Sequence, residues 1–359
     1  MRQFLAGSGN QVSIVKVMAL VVILNLLLGV LFYFVERDAQ EGLTFSDAIW
    51  WAMVTMTTVG YGDFYPQTFV GRYFIAYPCF LVGIGLLAFL VGVVADAIFK
   101  KISRRRKGLM SVKDSGHIII CNYPNLTRVG RLIEELRAES THADTKFVLI
   151  SDTLDELPAE LDGKNVQFVK GDPAQRETLE KANILQCEGV VVLPVDPGNP
   201  DSDYRSFAIG TIIELIERQE GRPIKTIVEM LNRDNVKIMS RTGVDGIISP
   251  DGISARLLVQ EYLDPGINEV IEQLITTRQG SQFYLYDTKL TGCKVRDIQV
   301  KVIEHTTDQQ IVGVFRDGHA IMNPPKNMEI QEGDKLVLLS KSREDFDDIE
   351  KEILSKQSA

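Results

Sequence analysis

Two apolar runs constrain this chain more than any other feature. Val17 to Val35 is a run of 19 residues whose one strongly polar member is Asn25, and Phe74 to Ala95 is a run of 22 residues without a charge. Roughly 20 apolar residues cross a bilayer as a helix. A cleavable signal segment competes for the first run, but its apolar core would be shorter, about 7–15 residues, and end in small residues. Here the run ends in Phe32-Tyr33-Phe34. Buried core helices are the remaining alternative for both. Lys100, Lys101, Arg104, Arg105, Arg106 and Lys107 follow the second run with no acid among them. The stretch between the runs carries Glu36, Asp38, Glu41, Asp47 and Asp63 against Arg37 and Arg72. Basic flanks stay cytoplasmic, so a multi-pass protein with both termini inside and an external connection is predicted.

That connection holds a third apolar piece, Phe45 to Thr58, too short to cross. Thr44 or Ser46 can cap a helix there. Backbone at membrane depth is tolerated only inside protein or beside water, so a re-entrant segment is expected. Thr57-Thr58-Val59-Gly60-Tyr61-Gly62-Asp63 comes directly after it. Dehydrating a monovalent cation needs several oxygens at once, and rings of backbone carbonyls supply them. Carbonyls aimed inward from consecutive residues require alternating backbone hands. Gly60 and Gly62 permit this without a Cβ penalty. Val59 and Tyr61 would pack outward, and the Thr58 hydroxyl would add an inner oxygen ring.

Thr58-Val59-Gly60-Tyr61-Gly62 resembles the potassium-channel selectivity filter at all five positions. The resemblance implies K+ bound at Thr58, Val59, Gly60 and Tyr61, an aromatic cuff from Trp50 and Trp51, and a homotetramer closing the ring. It makes the second run the pore-lining helix, with Gly83 and Gly85 as gating hinge. Small-residue helix packing is the other reading of these two glycines. Asp96 would stand at the inner pore entrance and concentrate cations; a solvated helix-end acid is its alternative.

Beyond the basic stretch the pattern changes. Strands are predicted over His117–Cys121, Lys146–Ile150, Val166–Val169, Gly189–Leu193, Ile224–Val228 and Gly246–Ile248, alternating with helices over Arg128–Ala138, Tyr204–Glu217 and Val236–Arg241. Short apolar strands alternating with helices mean a doubly wound parallel sheet. A dinucleotide fold normally has glycines in its first turn. Here the turn is Asn122-Tyr123-Pro124-Asn125-Leu126-Thr127, without one. Other parts of a nucleotide site remain. Asp152 follows the second strand, Gly171-Asp172 the third, and Arg128 opens the first helix, whose N-terminus favours anions.

His117-Ile118-Ile119-Ile120-Cys121, Gly171-Asp172-Pro173, Lys181-Ala182-Asn183 and Thr242-Gly243-Val244-Asp245-Gly246-Ile247-Ile248-Ser249-Pro250 together resemble an RCK domain, the regulator of K+ conductance. A crossover helix from Pro265 to Thr277 and short strands between Gln282 and Ser340, among them Gly313–Arg316, Asn323-Pro324-Pro325 and Gly333–Leu338, resemble the C-terminal lobe of that family. With the pore, the chain is similar to prokaryotic two-transmembrane potassium channels with a C-terminal RCK domain. The implied fold is a membrane α-helical pore module (two spans, re-entrant pore helix and filter), then a cytosolic α/β Rossmann-like RCK domain and a small α+β C-terminal lobe. The boundaries are 1–99 for the pore module, 100–115 for a partly helical basic linker, 116–250 for the N-lobe, 251–280 for crossover and dimerisation helices, 281–345 for the C-lobe and 346–359 for the tail.

The resemblance implies a channel in the plasma (inner) membrane, gated by ligands on a ring of RCK dimers. Soluble RCK copies initiated at Met110 are one source of extra subunits; an ordinary linker methionine is the alternative. An adenine nucleotide, ADP or NAD, held by Asn122, Arg128, Asp152, Gly171 and Asp172 is the expected ligand. Some relatives bind Ca2+ through acids at the end of the fifth strand. Glu229 matches the first of these, Leu231 replaces the second, and Asp196, with Asp201 and Asp203, could add oxygens. A calcium-gated channel without nucleotide control is thus a second reading, and a membrane-anchored NAD-dependent dehydrogenase a third. No acid/base pair supports that enzyme. The net charge of -9 excludes nucleic acid as a partner of the whole chain. Cys79, Cys121, Cys187 and Cys293 stand apart without metal or disulfide spacing, and His117, His142, His305 and His319 show none either. No arginine-rich helix senses voltage.

Overall fold

The computed structural model describes residues 14–278, 280–305, 308–341 and 346–357. The chain divides into two compact units, Met1–Arg105 and Arg106–Ala359. In the first, α1 (Ile14–Glu36) and α3 (Tyr77–Arg106) flank the short α2 (Phe45–Met56), and one π-helical turn, Gly71–Ala76, leads into α3. Two helical stretches, Lys16–Glu36 and Gly71–Arg106, are long and apolar enough to cross a membrane. Val22, Ile23, Phe34 and Phe74 on them are exposed, as hydrocarbon-facing side chains would be. α2 has 12 residues and spans about 18 Å, well short of a bilayer. Thr44 caps it: its Oγ1 accepts from the Asp47 N–H while the Asp47 carboxylate accepts from the Thr44 N–H, a reciprocal capping box. α3 runs on past the apolar run, so the basic stretch to Arg106 forms its last turns.

The second unit opens with a six-stranded parallel sheet in the order β3-β2-β1-β4-β5-β6, from β1 (His117–Cys121), β2 (Phe147–Ser151), β3 (Val166–Lys170), β4 (Cys187–Val192), β5 (Lys225–Glu229) and β6 (Gly246–Ile248). This is the Rossmann order, with its switch point between β1 and β4. All six strands match the expected runs to within two residues at each end, and β1 and β6 coincide with theirs. Alternate residues feed opposite cores. Ile118, Ile120, Phe147 and Leu149 pack with Val129 and Ile133 of α4 (Leu126–Ala138) and Leu161 of α5 (Ala159–Asp162). Ile119, Cys121, Val148 and Val190 pack with Leu179 of α6 (Arg176–Lys181), Ile209 and Ile213 of α7 (Ser202–Glu220) and Met239 of α8 (Arg233–Met239). Covered on both faces, the strands read as continuous apolar runs. The segment after Arg106 is stitched to this sheet: Lys170 donates to the Gly108 carbonyl at 3.0 Å and Val112 to that of Lys181 at 2.8 Å.

α9 (Ile253–Leu263) and α10 (Ile267–Ile275) follow, α10 lying within the Pro265–Thr277 stretch where a crossover helix is expected. The C-terminal lobe is an antiparallel sheet, order β7-β10-β8-β9, of β7 (Gln282–Asp287), β8 (Gln309–Arg316), β9 (His319–Met322) and β10 (Lys335–Ser340). α11 (Val295–His305) and α12 (Phe346–Gln357) close its core through Ile298, Val302, Phe346 and Ile349. Asn323-Pro324-Pro325 is not a strand but the turn after β9, because proline has no N–H for a ladder. The tail expected over 346–359 supplies a core helix, with 358 and 359 outside the described residues.

Candidate functional site: a carbonyl-lined filter and a Rossmann cleft

The segment after α2 alternates in backbone hand. Thr58, Gly60 and Gly62 have φ of 61°, 56° and 76°, while Val59 and Tyr61 between them stay on the ordinary side. Glycine takes this conformation freely; Thr58 holds it despite its Cβ. The turn is pinned to α2 by the N–H groups of Val59 and Gly60, which both reach the Val54 carbonyl, at 3.0 and 3.3 Å. Trp50 braces the outer end. Its Nε1–H donates to Asp63 Oδ2 at 2.8 Å, and its ring lies parallel to Tyr61 with centroids 5.9 Å apart. Trp51 does not join this cuff, contrary to expectation. It is buried against Phe32 of α1, rings stacked 3.7 Å apart, and so fastens the short helix to the first span. The one-residue offset on a helix turns two adjacent tryptophans about 100° apart, onto different neighbours.

Glu36, which the sequence shows only as one acid among five, fixes the loop beyond this turn. It is fully buried, and its carboxylate accepts from Gln67 N–H at 2.9 Å, Thr68 N–H at 3.0 Å and Thr68 Oγ1 at 2.6 Å. A Cβ on Gly71 would stand 1.9 Å from Glu36 Oε1, so any larger residue there would displace this carboxylate from its hydrogen bonds. The two candidate hinge glycines differ. A Cβ on Gly83 would lie 2.6 Å from Met56 Cα, whereas among the described residues nothing beyond the backbone of its own helix comes within 4 Å of one on Gly85. Asp96 pairs with Lys100 one turn on, at 2.7 Å, both well exposed.

In the second unit the C-terminal ends of β1, β2 and β3 meet the start of α4. Asn122 takes the place of the missing first glycine: φ is 72°, a conformation Asn tolerates, and the residue is 1% exposed. Its N–H donates to the Ile150 carbonyl at 2.9 Å and its Nδ2 to that of Leu193 at 2.7 Å, tying β1 to both neighbours. Asn125 caps α4, its Oδ1 accepting from the Arg128 N–H at 2.9 Å. A Cβ on Gly171 would meet Thr178 Oγ1 at 2.7 Å, so the turn after β3 lies close on α6. Asp152 and Asp172 converge on one guanidinium. Arg205 Nη2 reaches Asp152 Oδ2 at 2.7 Å and Asp172 Oδ1 at 3.0 Å. Arg205, on α7, is a member of the cleft that the sequence did not reveal.

Arg128 and Glu229, assigned by sequence to different ligands, form one ion pair. Beside it opens a cavity of about 720 Å³, lined also by Ile248, Leu257 and Glu261. The expected calcium acids do not gather. Asp196 Oδ1 accepts from Gly198 N–H at 2.9 Å within its own loop. Asp203 is buried and caps the turn into α8, accepting from Leu231 and Asn232 N–H at 2.6 and 2.9 Å. Among the described residues no three His, Cys, Asp or Glu side chains are placed to hold a metal ion. His117 is a core histidine: fully buried, Nε2 lies 2.9 Å from the Ala182 carbonyl, and burial holds its imidazole below the ordinary value.

Residues 20–100 match the ion channel family, 113–206 the calcium-activated potassium channel slowpoke-like RCK domain, and 251–356 the Castor and Pollux part of voltage-gated ion channels. The chain is 26% identical over 337 residues to the calcium-gated potassium channel TvoK of Thermoplasma volcanium, covering 93% of each. It is 26% identical over 329 residues to the putative potassium channel protein YugO of Bacillus subtilis, covering 90% of this chain and 95% of that one. Among solved structures, the GsuK channel bound to NAD aligns with a TM-score of 0.45 at 18% identity, over 90% of this chain and 56% of that chain. Relatives that align along almost the whole chain are channels, which decides against the membrane-anchored dehydrogenase. The chain thus carries an ion-channel region, residues 20–100, ahead of an RCK-domain region, residues 113–206, and is similar over almost its whole length to potassium channels.

Proposed function

We propose that the chain forms a potassium-selective pore as a homotetramer in the plasma (inner) membrane, termini inside, and that an adenine nucleotide bound to a ring of its RCK domains gates it. Four copies of Thr58 to Gly62 supply the rings of oxygens that replace the hydration shell of K+. The segment from Arg106 to Val112, hydrogen-bonded along the β3 side of the sheet, is the chain's mechanical link to the pore-lining helix. Free RCK copies begun at Met110 would enlarge the ring without adding pores. A ligand opens the pore only by binding the open arrangement more tightly than the closed one.

The observation that carries the nucleotide reading is the convergence of Asp152 and Asp172 on Arg205 at the carboxyl ends of β2 and β3, with a glycine-like turn at Asn122 after β1. This is the crevice at the carboxyl ends of the strands where doubly wound sheets take ligands. α4's N-terminus and Arg128 suit phosphate. Asp152 suits ribose hydroxyls and Asp172 the adenine amino group, both after release from Arg205. Calcium gating, for which the Thermoplasma relative is named, would in this chain rest on Glu229, and that carboxylate already has Arg128 as partner. The test is calorimetry on the purified channel with ADP and NAD+, alongside single-channel recording. Loss of one charge-assisted contact is worth about 1.5–3 kcal/mol, so Asp172→Ala should weaken binding roughly tenfold to a hundredfold and shift the nucleotide dependence of opening. No heat with either nucleotide at millimolar concentration, together with opening by calcium alone, would overturn the reading.

A further inference from the structure

Arg128 stands where a helix least favours a cation. Asn125 caps α4, which places Arg128 in the first turn, and that turn holds no acid. The helix dipole there attracts anions and repels guanidinium. The missing anion comes from elsewhere in the chain. Glu229, the last residue of β5, presents Oε1 to Arg128 Nη2. Its side chain is 12% exposed, so the carboxylate is largely withdrawn from water and depends on this partner. Glu229 therefore occupies the cationic contact that the phosphate of a bound nucleotide would use, the guanidinium of Arg128 in the first turn of α4. The adjoining cavity of about 720 Å³ is of a size that holds small-molecule ligands. Space for a ligand is open while its cationic contact is already taken.

From this arrangement, and resting on the nucleotide reading above, we infer that Glu229 sets the specificity of the site as an internal competitor for phosphate. A phosphate-bearing ligand must exchange with the Glu229 carboxylate at Arg128 and leave that carboxylate to find water. A nucleoside lacking phosphate makes no such exchange. Glu229 thus weakens nucleoside diphosphates selectively and leaves the adenosine part of recognition, at Asp152 and Asp172, untouched. It narrows the affinity gap between phosphorylated and unphosphorylated ligands and keeps Arg128 satisfied when no ligand is bound.

The test uses the full chain in detergent micelles and calorimetry with adenosine and with ADP. Glu229→Gln keeps the shape of the side chain and removes its charge. ADP should bind about tenfold more tightly to E229Q than to the wild type, while adenosine binds both alike. In an Arg128→Ala background the same E229Q change should no longer affect ADP, because the contested group is gone. A purely structural role of Glu229 would move both ligands together or act regardless of Arg128. Either of those patterns, or ADP binding unchanged or weakened in E229Q, overturns the inference while leaving the nucleotide site standing. ADP and adenosine both failing to bind the wild type and E229Q would instead remove the nucleotide reading itself, and this inference with it.

Discussion

Gly83 and Gly85 lie two residues apart on α3, yet alanine at each should produce different failures. The Cβ of Gly83→Ala would fall 2.6 Å from Met56 Cα and 2.7 Å from the Met56 carbonyl oxygen. Carbon atoms in contact normally sit about 3.5–4.0 Å apart, so α3 and the end of α2 must separate by ~1 Å. Met56 is buried backbone just ahead of the filter and has no flexible tip to move aside. Overpacking of this kind costs about 1–3 kcal/mol per chain, and the strain falls on the foot of the filter. Gly85→Ala meets nothing within 4 Å and gains helix propensity of about 1 kcal/mol. If α3 bends at Gly85 on opening, alanine stiffens the closed helix. In the proposed tetramer, four copies would bias the equilibrium by ~4 kcal/mol, close to a thousandfold. In planar bilayers, Gly85→Ala should lower open probability and leave unitary conductance unchanged. Gly83→Ala should lower the thermal stability of the assembled channel and reduce or abolish unitary conductance. Normal conductance and stability in Gly83→Ala, with only open probability altered, would refute the packing argument and make Gly83 the hinge.

Two further outcomes are expected. Gly60→Ala forces an L-residue to φ of 56°, a strain of about 1–2 kcal/mol per chain, and should abolish potassium current or its preference over sodium with the protein still in the membrane; selective current at wild-type amplitude would remove this turn as the filter. Burial holds the His117 imidazole below its ordinary value, so the unfolded chain binds the proton more readily than the folded one. Stability is then fully present above about pH 6.5 and is lost as pH falls toward the folded-state value, by up to ~1.4 kcal/mol per unit. Melting temperatures of the detergent-solubilised channel between pH 7.5 and 5 should show this slope, and His117→Asn should flatten it; an unchanged slope in the variant would exclude His117 as its source.

The sequence was most legible where one side chain type decides the structure alone. Ile118 to Cys121 is apolar throughout and β1 is buried along its whole length, because a strand covered on both faces reads as a continuous apolar run. Gly60 and Gly62 announce the alternating turn, because few residues enter that backbone region. Helix ends were harder to read. The apolar run stops at Ala95, but α3 continues to Arg106, since a helix follows backbone hydrogen bonding and not hydropathy. α9 buries none of its residues within the chain, so it offered no stripe to detect.

The partnerships across the cleft were the least legible, for a reason that lies in the topology. Asp152 follows β2, Asp172 follows β3, and Arg205 stands in α7, 33 residues after Asp172. Only the order β3-β2-β1-β4, with α7 leading on from β4, lays these three side chains together. Arg128 and Glu229 are 101 residues apart and meet for the same cause. Reading each acid by its own strand end assigned Asp152 and Asp172 to a nucleotide and Glu229 to a cation, as if each were free. In the folded chain every one of them holds an arginine. Under the proposed reading, ligand recognition would be an exchange of partners, and its affinity would depend as much on Arg205 and Glu229 as on the residues that touch the ligand.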